Sequence, residues 1–313
     1  MKYLSPDLKK RVESKLTELN HLRPLPPSAV RKLRQQFEIE MTYNSNGIEG
    51  NSLTLKETYL VISEGITVKN KPLKDHLEAK DHYEALEFVM GLVEHKKPQT
   101  ISASLIRTLH QIVVRDTEKE WAGRYRNSNV FITGAGHKPP EAILVPEKIE
   151  GLIRWFKEHQ TRLHPIELAA LIHHKFVHIH PFFDGNGRVG RLLMNVIIMR
   201  EGYPLAVILK NDRKKYYDCL AKSDREDYSP LVRFVAQSVE RSLDIYLKVL
   251  RPSTKKSERF LSLYEISTKT PYSAKYLNLL VRQGKLEAHK EGRNWLTSLE
   301  AVERYIRSRK RKR

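Results

Sequence analysis

Apolar positions along this chain recur mostly at helical spacing. After Leu25–Ser28, the run AVRKLRQQFEIEMTY (29–43) puts Val30, Leu33, Phe37 and Met41 on one side. Pro26, Pro27 and Ser28 supply its start signal. LTLKETYLVISEG (53–65), DHLEAKDHYEALEFVMGLVEHK (75–96) and SASLIRTLHQIVVRD (102–116) read as further helices. VPEKIEGLIRWFKEHQ (145–160) and HPIELAALIHHKFVHIH (164–180) follow, then VGRLLMNVIIMREG (189–202), apolar nearly all round and so expected at the centre. NDRKKYYDCLAKS (211–223) and SPLVRFVAQSVERSLDIYLKVL (229–250) complete a mainly α body.

The pattern changes in two places. NVFITGAGHKPPEAILVP (129–146) has two short alternating runs, VFIT and AILV, about a Gly/Pro-rich centre, which predicts a protruding β-hairpin. RPSTKKSER (251–259) reads as a linker. Beyond it come a helix, a turn, the helix SAKYLNLLVRQG (273–284), two strand-like arms about Glu291–Gly292, and a last helix in SLEAVERYIRS.

Composition narrows the class. With 40% hydrophobic and 30% charged residues, the 313-residue chain is globular, long enough for two or three domains. No apolar run reaches about 18 residues, so no transmembrane helix is expected. The start, MKYLSPDLKKRVESKL, is too charged for a signal peptide. The single cysteine, Cys219, cannot form an internal disulfide, which fits a reducing cytoplasm, and is expected to pack as a small hydrophobe. The net charge of +19 is uneven: residues 251–313 hold 17 Lys/Arg against 6 Asp/Glu, leaving 39 against 31 in the other 250. That asymmetry suggests a C-terminal unit facing nucleic acid.

The chemistry concentrates in residues 180–191, HPFFDGNGRVGR. His180 ends one helix and Pro181 stops it. The loop Asp184–Gly187 leads straight into the next helix, whose free N–H groups and dipole suit a phosphate. Arg188 and Arg191 lie three apart on one face of the first turn and can clasp phosphate oxygens. Asp184 is a hard oxygen ligand of the kind Mg²⁺ takes beside phosphates, and His180 is a base near neutral pH. Together they describe transfer from a nucleotide; the plainer alternative is a helix-loop-helix corner with surface arginines and a structural histidine. His174 and His178, i,i+4 with His173 beside them, have zinc-compatible spacing. With no HExxH, no Cys partner and no third ligand in view, they read as helix-face histidines around the entrance.

HPFFDGNGRVGR matches the Fic-family pattern H-x-F-x-[D/E]-G-N-G-R-x-x-R at every specified position, and the likeness covers roughly residues 28–245. The resemblance implies a mainly α, Fic-type core with a β-hairpin flap and a protein adenylyltransferase that moves AMP from ATP to a Ser, Thr or Tyr hydroxyl of a target protein or of itself. It implies His180 as base, Phe182 as anchor of the loop, and Asp184 as the Mg²⁺ ligand. Gly185, Asn186 and Gly187 become the phosphate nest, with the Asn186 side chain near the α-phosphate, and Arg188 and Arg191 hold the outer phosphates. Tyr216 and Tyr217 resemble the family's nucleotide-pocket pair, while Asp224 stands where relatives carry Asn. The 129–146 hairpin resembles the flap that holds the target by strand addition.

The expected division is 1–100, 101–250 as catalytic core, a 251–259 linker and 260–313. Residues 260–313 resemble a winged helix, with Lys275 and Arg282 on its recognition helix and Lys290 and Arg293 on its wing. Its partner is DNA or protein; a homodimer is left open, and no membrane is expected. Competing activities are a DNA-binding regulator with a nucleotide-sensing body, removal of AMP, and transfer of another phosphate-containing group.

The stretch SNGIEGN (45–51) is rich in turn residues, yet a helical pattern runs into it. One class of Fic proteins carries an inhibitory helix with [S/T]-x-x-x-E-[G/N], filled here by Ser45, Glu49 and Gly50. By that resemblance a helix at about 28–50 stops at Gly50, and Glu49 takes Arg191 from the γ-phosphate. The alternative is a solvated glutamate at a helix end.

Overall fold

A computed structural model of the chain describes residues 3–94, 101–132, 136–250 and 260–310. The chain divides into two compact units, Arg31–Val232 and a second one built from Met1–Val30 with Arg233–Arg313. The expected boundaries at residues 100 and 250 do not coincide with this division, and the expected linker 251–259 lies outside the described residues.

The larger unit is helical. α1 (Pro6–His21) belongs to the other unit; here follow α2 (Pro27–Ile48), α3 (Leu55–Ser63), α4 (Leu73–Glu94), α5 (Ala103–Val113), α6 (Val145–His159), α7 (Pro165–Ile179), α8 (Asn186–Arg200) and α9 (Arg213–Ser223). Side chains start several of them. Thr54 and Glu57 form a capping box on α3, Ser102 caps α5, and His164 with Glu167 caps α7. α8 is the buried centre, with Val189, Leu192, Leu193, Val196 and Ile197 out of solvent. α7 packs along it, and α4 and α5 close its other sides. Gly190 permits the α7 approach, since a Cβ there would strike His173 and Val177.

Residues 129–146 depart from expectation. None of the described residues there is in a strand; Ala142–Leu144 form one 3-10 turn that runs into α6. A lone two-stranded hairpin is marginal without a partner strand. What holds this segment is side-chain bonding: Asn129 Oδ1 accepts from the Ala142 N–H at 2.9 Å, and Arg126 donates to the Ser128 and Pro140 carbonyls.

The second unit joins α1 and the Arg233–Leu250 part of α10 (Ser229–Leu250) to the C-terminal elements. These are β1 (Leu261–Ser262), α11 (Leu263–Ser267), α12 (Ala274–Arg282), β2 (His289–Glu291), β3 (Asn294–Thr297) and α13 (Leu299–Lys310). The sheet is antiparallel in the order β1-β3-β2. Gly292, at φ 58°, turns the β2–β3 hairpin. Ile266, Leu277, Val281, Leu286 and Val302 fill the core beneath. A charged cluster explains why α1 sorts with this end of the chain. Arg11 Nε lies 2.8 Å from Glu240, while Lys15 reaches Glu240, Asp244 at 2.6 Å, and Glu287, which Arg304 also meets at 2.7 Å. Such carboxylates, almost wholly buried, need these cations to stay ionised.

Candidate functional site

α7 ends at His180, whose backbone is left-handed (φ 50°, ψ 61°). A non-glycine residue there is under strain, a frequent mark of functional positions. Pro181 to Gly185 then turn the chain into α8. Gly185, at φ 75°, is the N-cap, and no side chain caps the helix, so its leading N–H groups are open to a ligand.

The loop is fixed from below. Phe182 is wholly buried and stacks on His110 with ring centroids 3.6 Å apart. His110 Nε2 lies 3.2 Å from the Asp184 carbonyl, and its Nδ1 accepts from the Gly123 N–H at 3.0 Å. Burial pushes the His110 pKa down to about 4, so the ring is neutral. The Asn186 side chain accepts from the Phe182 N–H at 3.0 Å and donates to the Phe182 carbonyl at 2.8 Å. These two bonds hold the loop and still leave the second Nδ2 hydrogen, with the backbone N–H, free to meet a ligand.

Both arginines are buried. Arg191 donates from Nε to Ser45 Oγ at 2.9 Å and from Nη2 to the Ser45 carbonyl at 2.8 Å and Glu49 Oε1 at 2.7 Å. Arg188 lies 3.2 Å from Asp184 and 3.5 Å from Glu78 on α4. Even so, among the described residues Arg188 Nε and Arg191 Nη1 have no hydrogen-bond partner, and Arg188 Nη1 has only the 3.5 Å ion pair with Glu78. Buried guanidinium donors without acceptors are costly, and phosphate oxygens are what such forks match. Asp184 is partly exposed, with Lys74 3.9 Å away. Burial works to raise its pKa, but Arg188, the Gly185 N–H and Lys74 outweigh it and keep the carboxylate ionised. One partly exposed, ionised carboxylate beside an open helix N-terminus fits Mg²⁺, which takes few protein ligands and completes its shell with other oxygens and water.

Glu49 occupies the mouth of that nest. α2 runs to Ile48 and ends in a Schellman turn: Asn51 N–H bonds to the Asn46 carbonyl at 3.1 Å and Gly50 N–H to the Gly47 carbonyl at 3.3 Å, with Gly50 at φ 108°. The turn residues of SNGIEGN therefore sit on a helix end. Asn44 and Asn46 bond Lys210 N–H and the Glu78 carbonyl, and Arg213 caps the Ile48 carbonyl at 2.6 Å. Gly47 admits the Lys210 side chain. A methyl added at Gly187 would collide with Glu49 Oε1, so the glutamate carboxylate lies against the first turn of α8.

His180 is held from the flap side. Arg126, only 2% exposed, donates from Nε to the His180 carbonyl at 2.8 Å and from its other nitrogens to Ser128 and Pro140. One buried side chain thus fixes both the histidine and the base of the 129–146 segment. Burial lowers the His180 pKa to about 4; the Val177 carbonyl and Glu49 oppose this, and Arg126 and His137 add to it. At neutral pH it is an unprotonated base.

The tyrosine pair splits. Tyr216 is 1% exposed and bonds His173 at 2.6 Å through its hydroxyl, so it backs Arg191 from within the core. Tyr217 is 37% exposed, with the Arg213 guanidinium 4.9 Å from its ring centre. It is the member able to meet a ligand. Arg126, His110 and Glu78 do not stand out in the sequence. A signal for Glu78 exists all the same: Asp75, Glu78 and Asp81 recur every third position of α4, marking an acidic face that the fold buries.

A helical domain whose central loop opens onto a helix N-terminus flanked by two buried arginines is an anion-binding architecture. The chain belongs to the Fic/DOC family, whose model matches residues 100–198. It is 31% identical to a Fic domain containing signaling protein from Bacteroides thetaiotaomicron, covering 77% of this chain and 96% of that one, with a TM-score of 0.71. Fic-1 from C. elegans matches 77% of this chain and 71% of its own at 31% identity and a TM-score of 0.70. Among curated relatives, Protein adenylyltransferase Fic of Drosophila yakuba is 38% identical over 223 residues, 70% of this chain. The chain spans only 44% of that relative's length.

Proposed function

We propose that the protein transfers AMP from ATP to a hydroxyl of a target protein and that Glu49 holds this activity down. The observation that carries the reading is the set of guanidinium donors on buried Arg188 and Arg191 that lack a hydrogen-bond acceptor among the described residues, on the first turns of α8 with His180 at the other end of the same loop. The curated relatives named for adenylyl transfer point the same way.

In this reading the nest N–H groups and the two arginines hold the triphosphate, and Tyr217 faces the nucleoside side. Asp184 would hold Mg²⁺, which supplies charge neutralisation to the phosphates when bound. His180 Nε2 or Nδ1 takes the proton of the target hydroxyl as its oxygen attacks the α-phosphorus. The bond to the β-phosphate oxygen breaks, and diphosphate leaves on the arginines. The lowered His180 pKa keeps the base unprotonated, and the negative charge of a bound triphosphate would raise it toward the working pH. Positioning and charge neutralisation supply most of such a rate. The 129–146 segment, fixed by Arg126 beside His180, is where a target chain would lie.

Glu49 blocks this arrangement by taking Arg191 and by setting a negative charge where outer phosphates belong. Incubation of Glu49→Gly protein with α-labelled ATP and Mg²⁺ should label the protein itself or lysate proteins, and Glu49→Gly/His180→Ala should not. Label that is absent from both, or equal in both, removes the reading.

For residues 260–310 we propose a winged-helix role in docking a partner. Lys275, Arg282 and Arg293 are exposed, whereas Lys290 is partly buried against Trp295. DNA anisotropy at two salt concentrations distinguishes nucleic acid, with a steep salt slope, from protein.

A further inference from the structure

A second cluster lies beside the phosphate nest and takes no part in it. α7 presents His174 and His178, one turn apart; Asp224 stands at the C-terminus of α9; His137 comes from the segment between Arg126 and α6. All converge on one carboxylate. His178 Nδ1 and His174 Nε2 each lie 2.9 Å from Asp224 Oδ1, and His137 Nδ1 lies 3.3 Å from Asp224 Oδ2. The His137 and His178 rings stack with centroids 4.2 Å apart, and His137 Nε2 is 3.2 Å from the His178 carbonyl. The candidate ligand atoms of His137, His178 and Asp224 all fall within 4.8 Å of one another.

Hydrogen bonding alone leaves this cluster incomplete. Asp224 Oδ1 already serves two imidazoles. His137 Nδ1 is buried and faces Oδ2 closely, yet among the described residues it has no hydrogen-bond partner. A cation between the two rings and the carboxylate would engage that nitrogen. Ligands bound tetrahedrally at 2.0–2.1 Å stand about 3.3 Å apart, so atoms already within 4.8 Å of one another need only a small closing movement to seat an ion. His174 then takes a supporting place, holding the metal-bound carboxylate from behind as outer-shell partners commonly do.

We propose that His137, His178 and Asp224 bind a late first-row divalent cation of the Zn²⁺ class, oriented by His174. Two imidazole nitrogens with one carboxylate suit Zn²⁺ or its neighbours rather than Mg²⁺ or Ca²⁺, which prefer all-oxygen shells. The bound ion would pin the His137 segment to α7, two residues before His180, and to the end of α9. The sequence shows only the His174/His178 spacing; the third and fourth members lie 37 or more positions away on either side and meet only in the fold.

The test uses tag-free, full-length protein stripped with chelator and titrated with Co²⁺ in excess Mg²⁺, followed by visible absorption. The expected result is one equivalent of Co²⁺ with the intense bands of a four- or five-coordinate site, displaced by Zn²⁺. His137→Ala and His178→Ala should each lose it. His174→Ala should bind roughly 10–100-fold more weakly, and His21→Ala, an exposed histidine elsewhere, should bind as the parent does. Asp224→Asn keeps the side-chain shape and removes the anionic ligand, so its loss of the bands supports the site even if an alanine variant fails to fold. Absence of the bands in the parent, or bands of equal strength in His137→Ala and Asp224→Asn, overturns the proposal.

Discussion

Arg188 and Arg191 on α8 and Arg11 and Lys15 on α1 are all cations withdrawn from water and facing carboxylates, yet the two groups are finished differently. Around Lys15, the three carboxylates of Glu240, Asp244 and Glu287 are matched by the three cations Arg11, Lys15 and Arg304. Burial, and then the like charges of Glu240 and Glu287, push Asp244 up to about 7 despite Lys15, while Glu287, whose burial is outweighed by Lys15 and Arg304, is pulled down to about 2. Around Arg188 and Arg191 the surplus is on the donor side: among the described residues Arg188 Nε and Arg191 Nη1 lack a hydrogen-bond acceptor, and Arg188 Nη1 has only a 3.5 Å ion pair with Glu78, beside an uncapped helix start. A closed cluster serves the fold. A cluster left short of acceptors is a place for a ligand, and Glu49 fills part of it in the meantime.

The largest effect that would sharpen this contrast is in the open cluster. In a Glu49→Gly background, His180→Ala should cut the initial rate of AMP transfer by roughly 10²–10⁴-fold, the usual worth of a general base. The closed cluster should answer in stability instead. Lys15→Met leaves three acids without their shared cation and should cost about 3–5 kcal/mol in urea unfolding of the unit that contains it. A small cost there would mean the cluster is not structural, and the comparison would fail.

How far each region is legible in the sequence follows the same line. HPFFDGNGRVGR is contiguous, so its base, nest and arginines are all visible in twelve residues. The helices are legible because their apolar spacing is regular, although Val30, expected on the buried side, is 39% exposed. What stays hidden is what the chain brings together from afar: α1 with Glu240 and Glu287, Glu78 with Arg188, Arg126 with His180. In 129–146 the alternation suggests strands, yet among the described residues no neighbouring strand is there to pair with. For Asn186 the motif shows the residue but not the two bonds by which its amide ties the loop to Phe182.

Arg126 offers an intermediate test. Arg126→Gln strips donors from the part-buried carbonyl contacts of His180, Ser128 and Pro140, leaves a buried amide short of partners, and should destabilise the larger unit by roughly 1–3 kcal/mol. The same change should raise KM for a protein target more than KM for ATP. Equal shifts in both would place Arg126 in general packing.

The smallest effect concerns protons. Because the folded-state pKa of Asp244 is raised, its contribution to stability is full below the unfolded carboxyl value and is lost as pH climbs through about 7. The Tm of the parent should therefore fall between pH 5 and pH 8 more than that of Asp244→Asn. Parallel curves would mean that Asp244 titrates normally.

The central claim is that Glu49 and the outer phosphates of ATP compete for Arg191. It is tested most directly by the initial rate of AMP transfer in the parent and in Glu49→Gly at the same ATP and Mg²⁺ concentrations. The account predicts a faster Glu49→Gly, by on the order of tenfold or more, the ratio that about 1.4 kcal/mol of lost competition corresponds to. Equal rates in the two proteins would contradict it.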